Sequence, residues 1–152
     1  MKTFLCVLTL AALGTALSAQ TPEIASVMSS SNQTKLTSAV FDWNKMQTSV
    51  VSNGVRRTVF DGPTATLDKI NCHITTLNPG QSSGAPRLHR QEEVVIVKEG
   101  TIEATYDGHT ETVGPGSVIF FASHATTCLH NPGKVPATYT VIYYYTPLTP
   151  KD

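Results

Sequence analysis

Neither sign of charge prevails in this sequence: Lys and Arg together number 11, Asp and Glu together number 11, and charged residues make up 14% of the chain. A chain without a cluster of Lys and Arg has no electrostatic hold on a phosphate polymer, so no nucleic-acid partner is expected. Beyond the N-terminus no apolar run approaches the roughly 20 residues that span a bilayer. Cysteine is scarce, three in 152 residues, and Trp occurs once. There is no CxxC pair, no GxSxG elbow, no phosphate-binding Gly-rich loop and no HExxH. The redox, hydrolase, nucleotide and zinc-protease chemistries carried by those motifs are therefore not indicated. Nothing between Val40 and Tyr145 reads as a capped amphipathic helix. With 40% hydrophobic residues, the chain is long enough for one domain that buries its own core and short for two.

What is present begins with an export segment. MKTFLCVLTLAALGTALSAQ has an early positive charge at Lys2, an apolar stretch from Phe4 to Leu17 and a small residue, Ala19, before Gln20. That is the pattern of a secretory signal peptide over residues 1–19, so the mature chain is expected to be secreted or periplasmic and free of the membrane. Cleavage removes Cys6 and leaves Cys72 and Cys128. In an oxidising compartment this pair can form a disulfide, which closing so long a loop would make worth about 4 kcal/mol; the alternative is two buried thiols. Residues 20–38 are rich in Ser, Thr, Asn and Gln without apolar periodicity and read as a flexible lead-in, with the folded domain over 39–148.

Short β-branched and aromatic runs then alternate with turn signals. The runs are VFDW, RRTVF, KINCHITTL, VVIVK, TIEATY, HTETV, SVIFFA, TTCLHN and ATYTVIYYY. Their spacing predicts an all-β sandwich or barrel. Asp107-Gly108 is the strongest hairpin signal, because a two-residue type I′ turn needs positive φ at both central positions. Strand alternation puts Asn71, His73, Thr75 and Leu77 on one face of their run, and Tyr139, Val141, Tyr143 and Tyr145 on one face of theirs.

One region concentrates chemistry. In PGQSSGAPRLHRQEEVVIVKEG, Arg87, His89, Glu92 and Glu93 crowd just before an apolar strand, and GPGSVIFFASHATTCLHNPG follows. The spacing His89-x3-Glu93-x6-Gly100, the paired Glu residues, the GPGS turn, the FFAS strand and the closing HNPG resemble the two motifs of the cupin superfamily, over roughly residues 66–146. VFDW, GVRR and CHITTLNPG upstream resemble the corresponding segments of small exported bacterial cupins. The resemblance implies a single antiparallel β-barrel of jelly-roll, or double-stranded β-helix, type. It also implies a divalent metal held by two His and one Glu of the first motif and one His of the second.

Carried over position by position, that ligand set falls on Arg87, His89, Glu93 and Thr127. Only His89 and Glu93 are ligand types: a guanidinium has no lone pair to offer a cation, and a neutral hydroxyl is a poor transition-metal ligand. The metal motif is degenerate, and no tightly bound cofactor is expected. Two other imidazoles could complete a metal site: His73, on the strand leading into the first motif, and His124, three residues before Thr127, which a bulge would have to turn inward.

Three readings follow. In the first, the exported barrel binds a small polar or anionic molecule through Arg87, His89, Glu93 and Thr127, with Tyr143 on the pocket wall. In the second, a metal-dependent isomerase, dioxygenase or hydrolase uses His89 and Glu93 with His73 or His124. In the third, an Arg87–Glu93 ion pair fills the pocket and the barrel acts through its surface, as a homodimer for example.

Overall fold

The computed structural model describes residues 34–151; the expected export segment and residues 20–33 of the expected lead-in lie outside the described residues. Ten strands form in chain order: β1 (Thr48–Val51), β2 (Gly54–Gly62), β3 (Lys69–Leu77), β4 (Arg87–Leu88), β5 (Glu92–Glu99), β6 (Ile102–Tyr106), β7 (His109–Val113), β8 (Val118–Phe121), β9 (Thr126–His130) and β10 (Ala137–Tyr145). They make a six-stranded sheet in the order β1-β2-β3-β10-β5-β8 and a four-stranded sheet in the order β4-β9-β6-β7, every pairing antiparallel. Among the described residues there is no helix. This is the all-β architecture that the spacing of the runs predicts, in the jelly-roll form that the motif resemblance implies.

Period-2 alternation decides which side chains meet. Leu77, Val95, Val97, Ile102, Ala104, Ile119, Phe121, Leu129, Ala137, Tyr139 and Val141 form the buried core. They come from the inward faces of both sheets, so the core lies between the layers. The opposite parity of β8 and β5 faces out, leaving Val118, Phe120 and Ile96 exposed.

Two turns show why the sequence closes as it does. At the tip of the β6–β7 hairpin, Asp107 and Gly108 have φ of +46° and +83°, as a type I′ turn demands. Between β5 and β6, Gly100 has φ +78°, and a Cβ there would lie 2.7 Å from Ala137 Cα. Only a residue without a side chain lets β10 pass so closely. The HNPG turn is fixed differently. Asn131 is fully buried, donates to the carbonyls of Leu77 (3.1 Å) and Val135 (2.8 Å), and accepts from Gly133 N–H (2.9 Å).

One expectation is corrected. VFDW is not a strand: Asp42 turns the chain, its side chain accepting from Asn44 N–H at 2.9 Å and its carbonyl from Lys45 and Met46. Phe41 packs on Phe60 (5.5 Å between ring centroids), and Trp43 lies under Arg57 (4.3 Å) and Lys98 (3.8 Å). Cys72 and Cys128 are both free thiols. Cys72 shares the parity of Ile74 on β3 and points away from the side carrying His73 and Thr75, while Cys128 lies between the inward-facing Thr127 and Leu129 of the other sheet. Two cysteines on outward faces of different layers cannot approach each other across the core.

Candidate functional site

At one end of the barrel the apolar packing gives way to a cavity of about 680 Å³. Alternation brings Tyr139, Val141, Tyr143 and Tyr145 of β10, His73 and Thr75 of β3, Glu93 of β5 and Thr127 and Leu129 of β9 to its wall. Arg87 and His89 reach it from β4 and the short link that follows, Arg56 from β2. Arg87, His89, Glu93, Thr127, Tyr143 and His73 therefore share one cavity. His124 is not among the lining residues. It occupies a left-handed turn position (φ +65°) with its ring 3.1 Å from Ser123 Oγ, while its backbone N–H is bound to the carbonyl of His89 at 2.6 Å. The bulge that would have carried it inward does not form, and its role is to hold the chain beside His89.

Each nitrogen of the His89 ring has a side-chain neighbour. Arg87 Nε–H donates to His89 Nε2 at 3.2 Å, and Nδ1 faces the side-chain amide of Gln91 at 3.0 Å, which in turn meets the Tyr145 hydroxyl at 3.0 Å. Both neighbours present N–H donors and a neutral imidazole has one lone-pair nitrogen; with Nε2 accepting from Arg87, Nδ1 bears the hydrogen and its approach to the Gln91 amide nitrogen is a contact without a hydrogen bond. Burial, and then the neighbouring Arg87 charge, push the His89 pKa down and keep it in that neutral form.

Glu93 sits deeper, 9% exposed, directly across from Tyr143 on β10 and Phe121 on β8. Desolvation raises its pKa from 4.5 to about 7, against a smaller opposing pull from Arg87. The expected Arg87–Glu93 pair does not close: among the described residues no ion pair joins them, and Arg87 turns its Nε–H to His89. The pocket is thus open, not filled by that pair. His73, one row further along, is held by Asn71 Oδ1 at 2.8 Å from its Nδ1. Burial and Arg56 lower its pKa to about 4, with Asp61 opposing.

The metal implied by the motif resemblance can be tested against these residues. Of the four ligand positions, Arg87 is a cation, Thr127 a neutral hydroxyl, and the Nε2 lone pair of His89 already accepts from Arg87. Among the described residues no three of His, Cys, Asp or Glu gather where they could hold a metal ion. This side-chain set does not fit the four-ligand centre.

Sequence reasoning missed Arg56, Gln91, Asn53, Thr75 and Ser83 as lining residues. A signal for Arg56 was present: consecutive Arg56 and Arg57 on a strand must point to opposite faces, so one of them faces the interior.

The family described as Cupin domain matches residues 73–143. The mannose-1-phosphate guanylyltransferase of Escherichia coli is 33% identical over 69 residues, 45% of this chain, and the chain spans only 14% of that relative's length. Among solved structures, an RmlC-like cupin from Shewanella frigidimarina superposes with a TM-score of 0.60 at 17% identity, covering 73% of this chain and 95% of that one. A sugar phosphate isomerase of the cupin superfamily from Silicibacter pomeroyi superposes with a TM-score of 0.56 at 22% identity, covering 72% and 77%. At such identities the two structures speak for the fold alone.

Proposed function

This chain belongs to the cupin superfamily, and from that premise we propose that its barrel binds a small, anionic, hydroxylated molecule in the exported protein. The observation that carries this reading is the charge of the cavity wall. Arg56 and Arg87 both line it, and among the described residues neither has a carboxylate within 4 Å. The one carboxylate facing them from the wall, Glu93, is largely protonated below its pKa of about 7. Guanidinium groups left without a counter-ion in a concave site recognise carboxylate or phosphate through paired N–H donors. Around them Thr75, Thr127, Tyr139 and Tyr143 supply hydroxyl groups and Asn53 and Gln91 amides, the partners a polyhydroxylated ligand requires. Two of the similar proteins are named for phosphorylated sugars, which agrees with that chemistry.

The test is calorimetric titration of the purified mature chain with D-galacturonate and D-galactose 1-phosphate, with galactitol as the uncharged reference. Binding of an acid but not of galactitol is expected, and Arg87→Gln should weaken it about tenfold, the worth of one charge-assisted contact. Equal behaviour of acids and galactitol would remove the basis for the reading. Stoichiometric divalent metal in the purified protein, lost in His89→Ala, would replace it with a metal-dependent enzyme.

A further inference from the structure

The two guanidinium groups belong to different layers of the barrel. Arg56 stands across from Thr75 in the six-stranded sheet, and Arg87 across from Thr127 in the four-stranded sheet. Both Thr75 and Thr127 are buried cavity residues, so the register fixes each arginine to its own wall. Arg87 is tied to His89 by its Nε–H, whereas the Arg56 side chain makes no hydrogen bond within the described residues. Their electrostatic reach is also separate. Among the groups whose titration is shifted, Arg56 acts on His73, Tyr139 and Tyr143, and Arg87 on His89 and Glu93.

The same cavity carries hydroxyls from both sheets, those of Thr75, Tyr139 and Tyr143 from one and of Thr127 from the other, beside His73, Glu93 and Gln91. We propose that the cavity holds a ligand with an anionic group at each end of a short hydroxylated chain, one end on Arg87 and the other on Arg56. The shared chemistry is that of an aldaric acid, with two carboxylates, or a phosphorylated sugar acid, with one carboxylate and one phosphate. The inference rests on the anion-binding reading above and adds to it the number and placement of the anchors. Arg56 is the specificity-determining residue it assigns.

Four probes separate the possibilities by calorimetry: D-galactarate and 6-phosphogluconate, each anionic at both ends; D-galacturonate, with one carboxylate; and D-galactose 1-phosphate, with a single doubly charged group. At least one two-ended probe is expected to bind about tenfold tighter than D-galacturonate, and which one does so distinguishes a second carboxylate from a phosphate. Arg56→Gln should erase that advantage while changing D-galacturonate affinity by less than threefold. Arg56→Lys, which keeps the charge, should retain part of it. The Arg56 side chain is exposed and unbonded, and an unchanged thermal unfolding midpoint will show that these variants fold. The inference is overturned if neither two-ended probe exceeds D-galacturonate, if D-galactose 1-phosphate equals the better of them, or if Arg56→Gln weakens all probes by one factor. If no acid binds at all, the anion-binding reading falls with it. D-galacturonate binding without any two-ended advantage overturns this inference alone.

Discussion

Replacing Glu93 by Gln should make the protein more stable at alkaline pH and leave it little changed near pH 5. The carboxyl ordinarily titrates at 4.5 and in the folded barrel at about 7. Below 4.5 it is protonated in both states. Between the two values the folded protein keeps a proton that the unfolded chain has released, so stability falls as pH rises and the loss is complete above 7. The displacement corresponds to roughly 3 kcal/mol at its upper end. Gln has the shape of the protonated carboxyl without its ionisation, so the variant should gain nothing at low pH and up to that amount at pH 8. The wild-type profile will not show this by itself. His73 is displaced downward, from 6.5 to about 4, and contributes in the opposite sense: its stabilisation is present above 6.5 and lost as pH falls through 4. The two slopes oppose each other between 4.5 and 6.5. Subtracting the wild-type free energy from that of Glu93→Gln at each pH removes the His73 contribution. Urea unfolding of both proteins at pH 5, 6.5 and 8, with matching m-values, gives the difference directly. A difference that stays constant across this range, or a variant less stable than wild type at pH 8, would refute the assignment of Glu93 as a desolvated carboxyl.

Gly100→Ala should lower stability by about 3 kcal/mol, combining a side chain forced into left-handed backbone with a Cβ 2.7 Å from Ala137. Gly116→Ala shares the positive φ but meets nothing within 4 Å, so it should lose only about 1 kcal/mol; equal losses at the two positions, read from urea midpoints, would contradict the close approach of β10. Reductant should leave the unfolding midpoint of the mature protein unchanged, because Cys72 and Cys128 are free; a fall in stability near 4 kcal/mol on reduction would reveal a bridge.

How much of this was legible without coordinates differs between the fold and the site. The strands followed from period-2 runs and turn residues because both signals are local: Asp107-Gly108 carries its turn type in its own φ preferences, and the β10 run exposes its inward face by simple alternation. VFDW failed for an equally local reason, since Asp42 can cap its own turn while Phe41 packs on Phe60 and Trp43 lies under the cations of Arg57 and Lys98. The cavity was only half legible. Arg87, His89, Glu93 and Thr127 were visible because they fall at motif positions. The contact between Arg87 and His89, the failure of Arg87 to pair with Glu93, and the arrival of Arg56 from β2 depend on how two sheets meet. No spacing within a single strand encodes that. The cysteines show the same limit in reverse, since two residues of suitable type lie on outward faces of opposite layers.

The exchange of ligand types at the barrel mouth changes what the cavity can recognise, and this follows from donors and acceptors alone. A metal centre needs several convergent lone pairs. In this cavity His89 Nε2 is spent on a guanidinium and Glu93 is desolvated enough to hold its proton near neutral pH. The wall that remains is dominated by N–H and O–H groups, from Arg56, Arg87, Thr75, Thr127, Tyr139 and Tyr143. Such a surface is left unsatisfied by a bare cation and satisfied by a molecule that brings oxygen lone pairs and negative charge. Glu93 then has a reason to be buried beside Arg87: uncharged, it can donate to the same ligand, and charged, it repels it. On the anion-binding proposal, the carboxyl that a metal centre would have kept ionised becomes a group whose protonation favours occupancy by an anion.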